Sequence, residues 1–171
     1  MSRILETKER VTADNAKAAA STKKILKEKG ICFINLMGSP GCGKTSFLRN
    51  IIPYLKERYR VGVMEADVDG DIDARKMAEL GVRTIQIHTG GACHMDGLMT
   101  RAGLEKFGIE NLDLVFLENV GNMVCPAEFD VGAHIRAMIL SVPECDDKPL
   151  KYPLMFRVSD VLLINKNDVR P

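Results

Sequence analysis

A glycine-rich segment in the first third of the chain has the pattern of a phosphate-binding loop. Its residues are Gly38-Ser39-Pro40-Gly41-Cys42-Gly43-Lys44-Thr45, which fit GxxxxGK[ST], and Ser46 follows directly. Glycines let successive backbone N–H groups turn toward a phosphate, Lys44 can reach the β- and γ-phosphates, and the Thr45 hydroxyl can bind Mg²⁺. We therefore predict that residues 38–46 bind a nucleotide. A plain glycine-rich turn is the alternative, which the strand and helix predicted on either side disfavour.

A second motif, Asn165-Lys166-Asn167-Asp168, has the form NKxD and ends an apolar run about 120 residues after the phosphate-binding loop. The Asp168 carboxylate can accept paired hydrogen bonds from the guanine N1–H and 2-amino groups, whereas adenine offers no such pair of donors. Leaving that carboxylate buried without them costs on the order of a few kcal/mol. The motif predicts guanine recognition by Asn165, Lys166 and Asp168, and a polar turn is the alternative.

Acidic residues between the two motifs are candidates for holding Mg²⁺ and the attacking water. Asp67 follows a predicted strand, Asp73 lies on the next loop or helix start, and Glu118 ends another strand as a Walker B acidic residue does. Gly121 is placed for a backbone N–H to the γ-phosphate, and Asp73 can instead cap a helix. The predicted catalytic residues are Lys44, Asp67, Asp73 and Glu118. The predicted Mg²⁺ ligands are Thr45, Asp67 and Glu118.

Cys93, His94 and Cys125 form a further candidate site, because thiolate and imidazole ligands together suit Zn²⁺ or Ni²⁺. Both segments follow predicted strands, so they can meet at the sheet edge where parallel α/β folds carry ligands. On an extended backbone the adjacent side chains of Cys93 and His94 point in different directions, so we expect a second copy of the chain to complete the site. A packed cysteine beside a surface histidine is the alternative.

The elements that position these motifs alternate between strands and helices. Strands are predicted at 31–37, 60–65, 83–87, 112–117, 135–142 and 160–164. Helices are predicted at 45–56, 73–80 and 95–107, after a helical lead-in that Gly30 closes. This alternation predicts an α/β fold with a mainly parallel P-loop sheet flanked by helices. We divide the chain into an N-terminal helical segment (1–30) and a nucleotide-binding domain (31–171).

Composition excludes several classes of function. The 171 residues carry a net charge of +1, so there is no surplus of positive charge to bind nucleic acid or an anionic membrane. The apolar runs are too short for a transmembrane helix, and the first ten residues, MSRILETKER, lack the pattern of a signal peptide. We expect a cytoplasmic protein, in which five unevenly spaced cysteines, with Cys32 in the core, form no disulfide framework.

Together these residues resemble the hydrogenase nickel-incorporation GTPases (HypB) of the SIMIBI class of P-loop proteins. The likeness rests on MGSPGCGKT (37–45), EADVDGDIDARKM (65–77), HTGGACHMD (88–96), ENVGNMVCPAEFDVG (118–132), DDKPLKYPLMF (146–156) and INKND (164–168). It implies a GTPase with Mg²⁺, a metal site of Ni²⁺ or Zn²⁺ at Cys93, His94 and Cys125, and a homodimer promoted by GTP and metal. It further implies a nickel metallochaperone and the hydrogenase large-subunit precursor as partners.

Some features depart from this family. His88 and Cys145 replace the usual Asn and Gly, and the N-terminus lacks the cysteine cluster or histidine tract of some relatives. Relatives continue past the NKxD motif with a further strand and helices, so we expect the guanine ring to be covered on one side only. The alternatives are a nickel or zinc storage module with weak nucleotide binding, a related urease-accessory-type GTPase, and a P-loop kinase.

Overall fold

The computed structural model describes residues 7–68, 77–144 and 146–169, with side chains from residue 12 onward. Its strands are β1 (Cys32–Met37), β2 (Val61–Asp67), β3 (Arg83–His88), β4 (Leu114–Glu118), β5 (Ile135–Ser141) and β6 (Val161–Asn165). The helices with both ends in these ranges are α1 (Thr7–Glu28), α2 (Lys44–Leu55), α3 (Gly97–Phe107), α4 (Cys125–Glu128), α5 (Lys148–Lys151) and α6 (Pro153–Val158). The first half of the helix predicted at 73–80, with Asp73, lies outside the described residues, as does Cys145.

The six strands form one sheet in the order β3-β2-β4-β1-β5-β6, and every neighbouring pair is parallel. The predicted parallel α/β sheet with an N-terminal helix is therefore confirmed. Strands β2 and β4 extend further than predicted, because their ladder continues until Glu65 pairs with Glu118, and Asp67 pairs with His88 on β3. Two of the predicted acidic site residues are consequently the last residues of strands.

Apolar side chains alternate between the two faces of the sheet, as strands covered on both sides require. On one face Phe33 and Leu117 pack with Leu26 of α1 and Leu104 of α3. On the other face the strands pack against α2, whose Leu48 and Ile52 are fully buried. Cys32, expected in the core, is only half-buried, because it begins the strand rather than lying within it.

Helix α1 lies in close contact with the start of α3 and with the loop before β5. Asn15 is 4% exposed; its Oδ1 accepts a hydrogen bond from the Gly97 N–H (2.5 Å), and its Nδ2 donates to the Asp130 carbonyl (3.0 Å). A methyl group on Gly97 would lie 2.9 Å from the backbone of α1, so only glycine permits this approach. No helix in the described part of the chain combines the length and the apolar character that a membrane span needs.

Candidate functional site: a phosphate cavity beside a thiol and imidazole cluster

A cavity of about 580 Å³ lies at the carboxyl ends of β1, β2 and β4. Its floor is the glycine-rich loop that leaves β1 and enters α2, and its walls include Glu65, Asp67 and Glu118. Gly43 precedes the helix with a φ of 100°, a conformation that suits glycine and lets the loop turn into the first helical turn. The position at the carboxyl ends of parallel strands is where open α/β sheets bind their ligands.

Lys44 is the buried cation of this cavity, with 7% of its surface exposed. Its Nζ donates to the carbonyls of Gly38 and Ser39, both at 3.3 Å. These are long hydrogen bonds to neutral acceptors, and a phosphate oxygen would provide a stronger, charge-assisted acceptor. The loop thus keeps an ammonium group in a position where an anionic ligand can take over its hydrogen bonds.

Oxygen atoms of the predicted Mg²⁺ ligands lie around the same cavity. The Thr45 hydroxyl donates to Glu118 Oε1 at 2.7 Å, and Asp67 is exposed at the end of β2. Glu65, which the motifs did not indicate, is 3% exposed, lines the cavity and pairs in register with Glu118. A carboxylate inside an otherwise apolar strand was the signal that could have identified it.

Residues of the NKxD motif contact the phosphate-binding loop, and Lys166 also lines the cavity. Asn165 Nδ2 donates to the Cys42 carbonyl (2.9 Å), and Lys166 Nζ donates to the Gly41 carbonyl (2.6 Å). Asp168 is exposed. Its carboxylate is open to solvent in the turn after β6, and its role in guanine recognition stays a prediction. Two of the three motif residues support the loop, and the third faces solvent.

Cys93, His94 and Cys125 converge within one chain, with all their ligand atoms within 4.8 Å of one another. The two sulfur atoms are 3.1 Å apart, and Cys93 Sγ lies 3.8 Å from His94 Nδ1. The expectation that adjacent side chains diverge is wrong, because the backbone bends at both Cys93 and His94 instead of running extended. The imidazole of His94 also stacks on Phe129, with ring centroids 4.1 Å apart.

The cluster has the electrostatics of a site for a cation. The hydrogen bond with the Cys93 thiol, with burial as a second cause, raises the pKa of the Cys125 thiol. Burial lowers the pKa of His94 although Asp96 and Glu128 oppose it, which favours the neutral imidazole that can ligate a metal. A divalent ion would stabilise both thiolates, because each would then neighbour a positive charge rather than a second sulfur.

Comparison with known proteins identifies the family of this chain. The family profile described as "CobW/HypB/UreG, nucleotide-binding domain" matches residues 32–171. A hydrogenase maturation factor HypB from Rhizobium leguminosarum is 41% identical over 99% of this chain and 56% of its own length. A probable hydrogenase maturation factor HypB from Methanocaldococcus jannaschii is 34% identical over 97% of this chain and 75% of its own length. The chain belongs to the HypB family.

A solved structure supports the same assignment. The crystal structure of HypB from Helicobacter pylori in complex with nickel superposes with a TM-score of 0.84 and 40% identity. The match covers 91% of this chain and 73% of that one. The chain nevertheless spans about half the length of the Rhizobium relative. The fold and the family of this HypB domain are therefore shown, and the roles of its individual residues stay predictions.

Direct hydrogen bonds from Asn119, to which no motif assigns a role, join the two halves of the site in this HypB domain. Asn119 follows Glu118 and is 1% exposed. Its Oδ1 accepts from the Met95 N–H (3.1 Å), and its Nδ2 donates to Asn35 Oδ1 on β1 (3.1 Å). The residue after His94 is thereby fixed to the strand that leads into the phosphate-binding loop. No local pattern in the sequence signals such a contact.

Proposed function

We propose that this chain is a metal-regulated GTPase domain that hydrolyses GTP to GDP and phosphate while assisting nickel insertion into the [NiFe]-hydrogenase active site. The observation that carries the proposal is the placement of the Cys93–His94–Cys125 cluster next to a P-loop cavity within one domain. Soft thiolate and imidazole donors suit nickel, and the cavity suits a nucleoside triphosphate. The maturation factors named among the relatives support hydrogenase as the recipient.

Phosphate binding in this proposal depends on the loop from Gly38 to Ser46. Lys44 exchanges its two carbonyl partners for β- and γ-phosphate oxygens, and the backbone N–H groups at the start of α2 face the same anion. Gly121 lines the cavity close to Pro40, which supports the proposal that its N–H donates to the terminal phosphate. These groups stabilise the negative charge that develops on the transferred phosphoryl group.

The donor set around the cavity fits Mg²⁺, since hydroxyl and carboxylate oxygens are the ligands that this hard cation prefers. Thr45 and Asp67 would hold the ion, with Glu118 ordering either the ion or the attacking water. The hydrogen bond between Thr45 and Glu118 brings these two groups together from different elements. When bound, Mg²⁺ neutralises charge on the β- and γ-phosphate oxygens. Asp73 lies outside the described residues, so its catalytic role stays a prediction from the sequence.

Nickel is the cargo of this domain rather than its resident cofactor. Three protein ligands leave a tetrahedral or square-planar ion incompletely coordinated, so the cluster can accept further donors. We propose that a second copy of the chain supplies them, and that GTP and metal together favour this homodimer. A nickel metallochaperone as donor and the hydrogenase large-subunit precursor as recipient complete the proposed sequence of transfers. The cytoplasmic location stays a prediction from the sequence.

Nucleotide preference is the most direct test of the proposal. We expect fluorescent GTP to bind with Mg²⁺ at least about tenfold more tightly than the ATP analogue, and Asp168→Ala to abolish that preference, because the paired acceptor for guanine is lost. Asp14→Ala, which changes an exposed aspartate on α1, is the matched control. Equal binding of both nucleotides by the unmodified chain would overturn the GTPase assignment. A preference that survives in Asp168→Ala would place base recognition elsewhere.

A further inference from the structure

Asn122 contacts both the phosphate-binding loop and the two segments that carry the metal ligands. Its backbone N–H donates to the Gly38 carbonyl at 3.1 Å. Its side-chain Nδ2 donates to the carbonyl of Cys93 at 3.1 Å. Its Oδ1 accepts from the N–H of Val124 at 2.8 Å, and Val124 directly precedes Cys125. One asparagine therefore bonds to the loop that holds phosphate, to a predicted metal ligand, and to the neighbour of another.

The Gly38 carbonyl is the point at which this residue can respond to a nucleotide. The same oxygen accepts a hydrogen bond from Lys44 Nζ at 3.3 Å. A bound phosphate attracts that ammonium more strongly than a neutral carbonyl does. The Gly38 carbonyl then loses Lys44 as a donor and keeps the Asn122 N–H. Binding of a phosphate in the cavity therefore leaves Asn122 as the remaining donor of these two.

Close packing holds the loop that contains Asn122 rigidly against the phosphate-binding loop. A methyl group on Gly121 would lie 2.9 Å from both the N and Cα atoms of Pro40, so the loop before Asn122 lies directly against the phosphate-binding loop. Gly38 and Asn122 also form an antiparallel β-bridge. A displacement of the phosphate-binding loop therefore moves Asn122, because closely packed backbones have no space to absorb it.

We propose that Asn122 is a positioning residue that makes the metal affinity of the Cys93–His94–Cys125 cluster depend on the nucleotide in the cavity. This inference rests on the proposed function. Asn122 touches neither nucleotide nor metal in this role: it sets the position of the Cys93 backbone and of the turn that begins at Val124.

Asn122 is also a better probe than Asn119, which connects the same regions. Asn119 is almost fully buried, so its replacement would leave several partners without hydrogen bonds and endanger folding. Asn122 is half-buried, and its bond to Gly38 uses the backbone, which any substitution retains. Asn122→Ala removes the side-chain bonds to Cys93 and Val124, together with the side chain's interaction with the Cys125 thiol. Asn122→Asp keeps the acceptor for Val124 but cannot donate to Cys93.

The test is a nickel titration of the full chain, by competition with a chromophoric chelator, in Mg²⁺–GDP and in Mg²⁺ with a non-hydrolysable GTP analogue. In the unmodified chain we expect the two nickel dissociation constants to differ by at least about fivefold, a typical allosteric coupling. In both Asn122 variants we expect the ratio to fall to within about twofold of one. Nucleotide affinity without metal and the melting temperature should stay close to those of the control Asn50→Ala, an exposed asparagine on α2.

Each result separates the inference from the proposed function. If the unmodified chain binds neither GTP nor nickel, the proposed function fails and the inference fails with it. If it binds both but its nickel affinity ignores the nucleotide, only the inference is overturned. A purely structural asparagine would weaken nickel binding by the same factor in both nucleotide states, and an unchanged ratio in the variants would also overturn the inference.

Discussion

Individual charges in the phosphate cavity are arranged for a ligand rather than for the stability of the empty fold. Lys44 is nearly buried, and its ammonium group donates to neutral carbonyls at 3.3 Å. Burying an ammonium group is costly unless it is well paired. An anionic substrate improves this environment, because it replaces two long hydrogen bonds with charge-assisted ones.

Replacing this lysine should therefore impair catalysis more than folding. We expect Lys44→Ala to lower GTP hydrolysis by well over about tenfold while the melting temperature stays near that of the unmodified chain. Phosphate release and thermal unfolding are the measurements. Lys56→Ala is the control, since Lys56 also donates to a carbonyl, that of Leu80, but lies exposed at the other end of α2. Unchanged turnover in Lys44→Ala would contradict the active-site assignment.

Among the elements, α1 packs closely against the segments that flank the metal cluster. Asn15 bonds to Gly97, which begins α3 three residues after His94, and to Asp130, which follows Phe129. Gly132 has a φ of 81°, and a Cβ there would overlap the carbonyl oxygen of Ala19 on α1. The helix thus lies against both segments that lead to the metal cluster, in a slot that admits no extra methyl group.

Two glycine substitutions separate the steric cost of this slot from the cost of a left-handed backbone. Gly81 has a φ of 71°, and a methyl group there would extend into open space, so Gly81→Ala should cost only the backbone strain, about 1–2 kcal/mol. Gly132→Ala should cost about 1–3 kcal/mol more, because α1 must move. Urea unfolding of both variants measures the difference in the free energy of unfolding. Equal losses would show that α1 is not packed against Gly132.

At the scale of the whole molecule, the metal cluster and the nucleotide cavity occupy one edge of a single parallel sheet. The β-bridge between Gly38 and Asn122 and the buried Asn119 connect the two directly. Three ligands from one chain leave room for donors from a second copy. Since coupling between two binding sites is reciprocal, a nucleotide that changes metal affinity must itself be bound differently when metal is present.

Sedimentation velocity with nickel or zinc titration in each nucleotide state checks this arrangement. We expect metal to promote dimers and to bind with different affinity in the GTP and GDP forms. Cys125→Ala should abolish both effects and leave GTP binding largely intact, because Cys125 is a predicted metal ligand outside the cavity lining. Cys32→Ala, which changes a half-buried thiol on β1, is the control. Dimers that persist in Cys125→Ala would separate assembly from the metal cluster.

Much of this architecture could be predicted from local sequence. Hydrophobic periodicity and helix-ending glycines are local patterns, so they indicate each strand and helix separately. The alternation of these strands and helices then predicts the parallel sheet. The phosphate-binding loop can likewise be recognised locally, since GSPGCGKT lies between a predicted strand and a predicted helix. Cys93, His94 and Cys125 were identified by their chemistry and by their positions after strands, although spacing alone allowed a packed cysteine and a surface histidine.

Only the tertiary structure decided how these parts meet. The convergence of Cys93 and His94 depends on bends in a loop, which alternation along an extended strand does not anticipate. Glu65 lies opposite Glu118 because β2 and β4 are neighbours in the sheet. The sequence of neither strand specifies which strand it pairs with. The contacts of Asn122 join residues that are 29 and 84 positions apart. Motifs and elements are local properties of the sequence, whereas the coupling between sites arises where distant segments pack together.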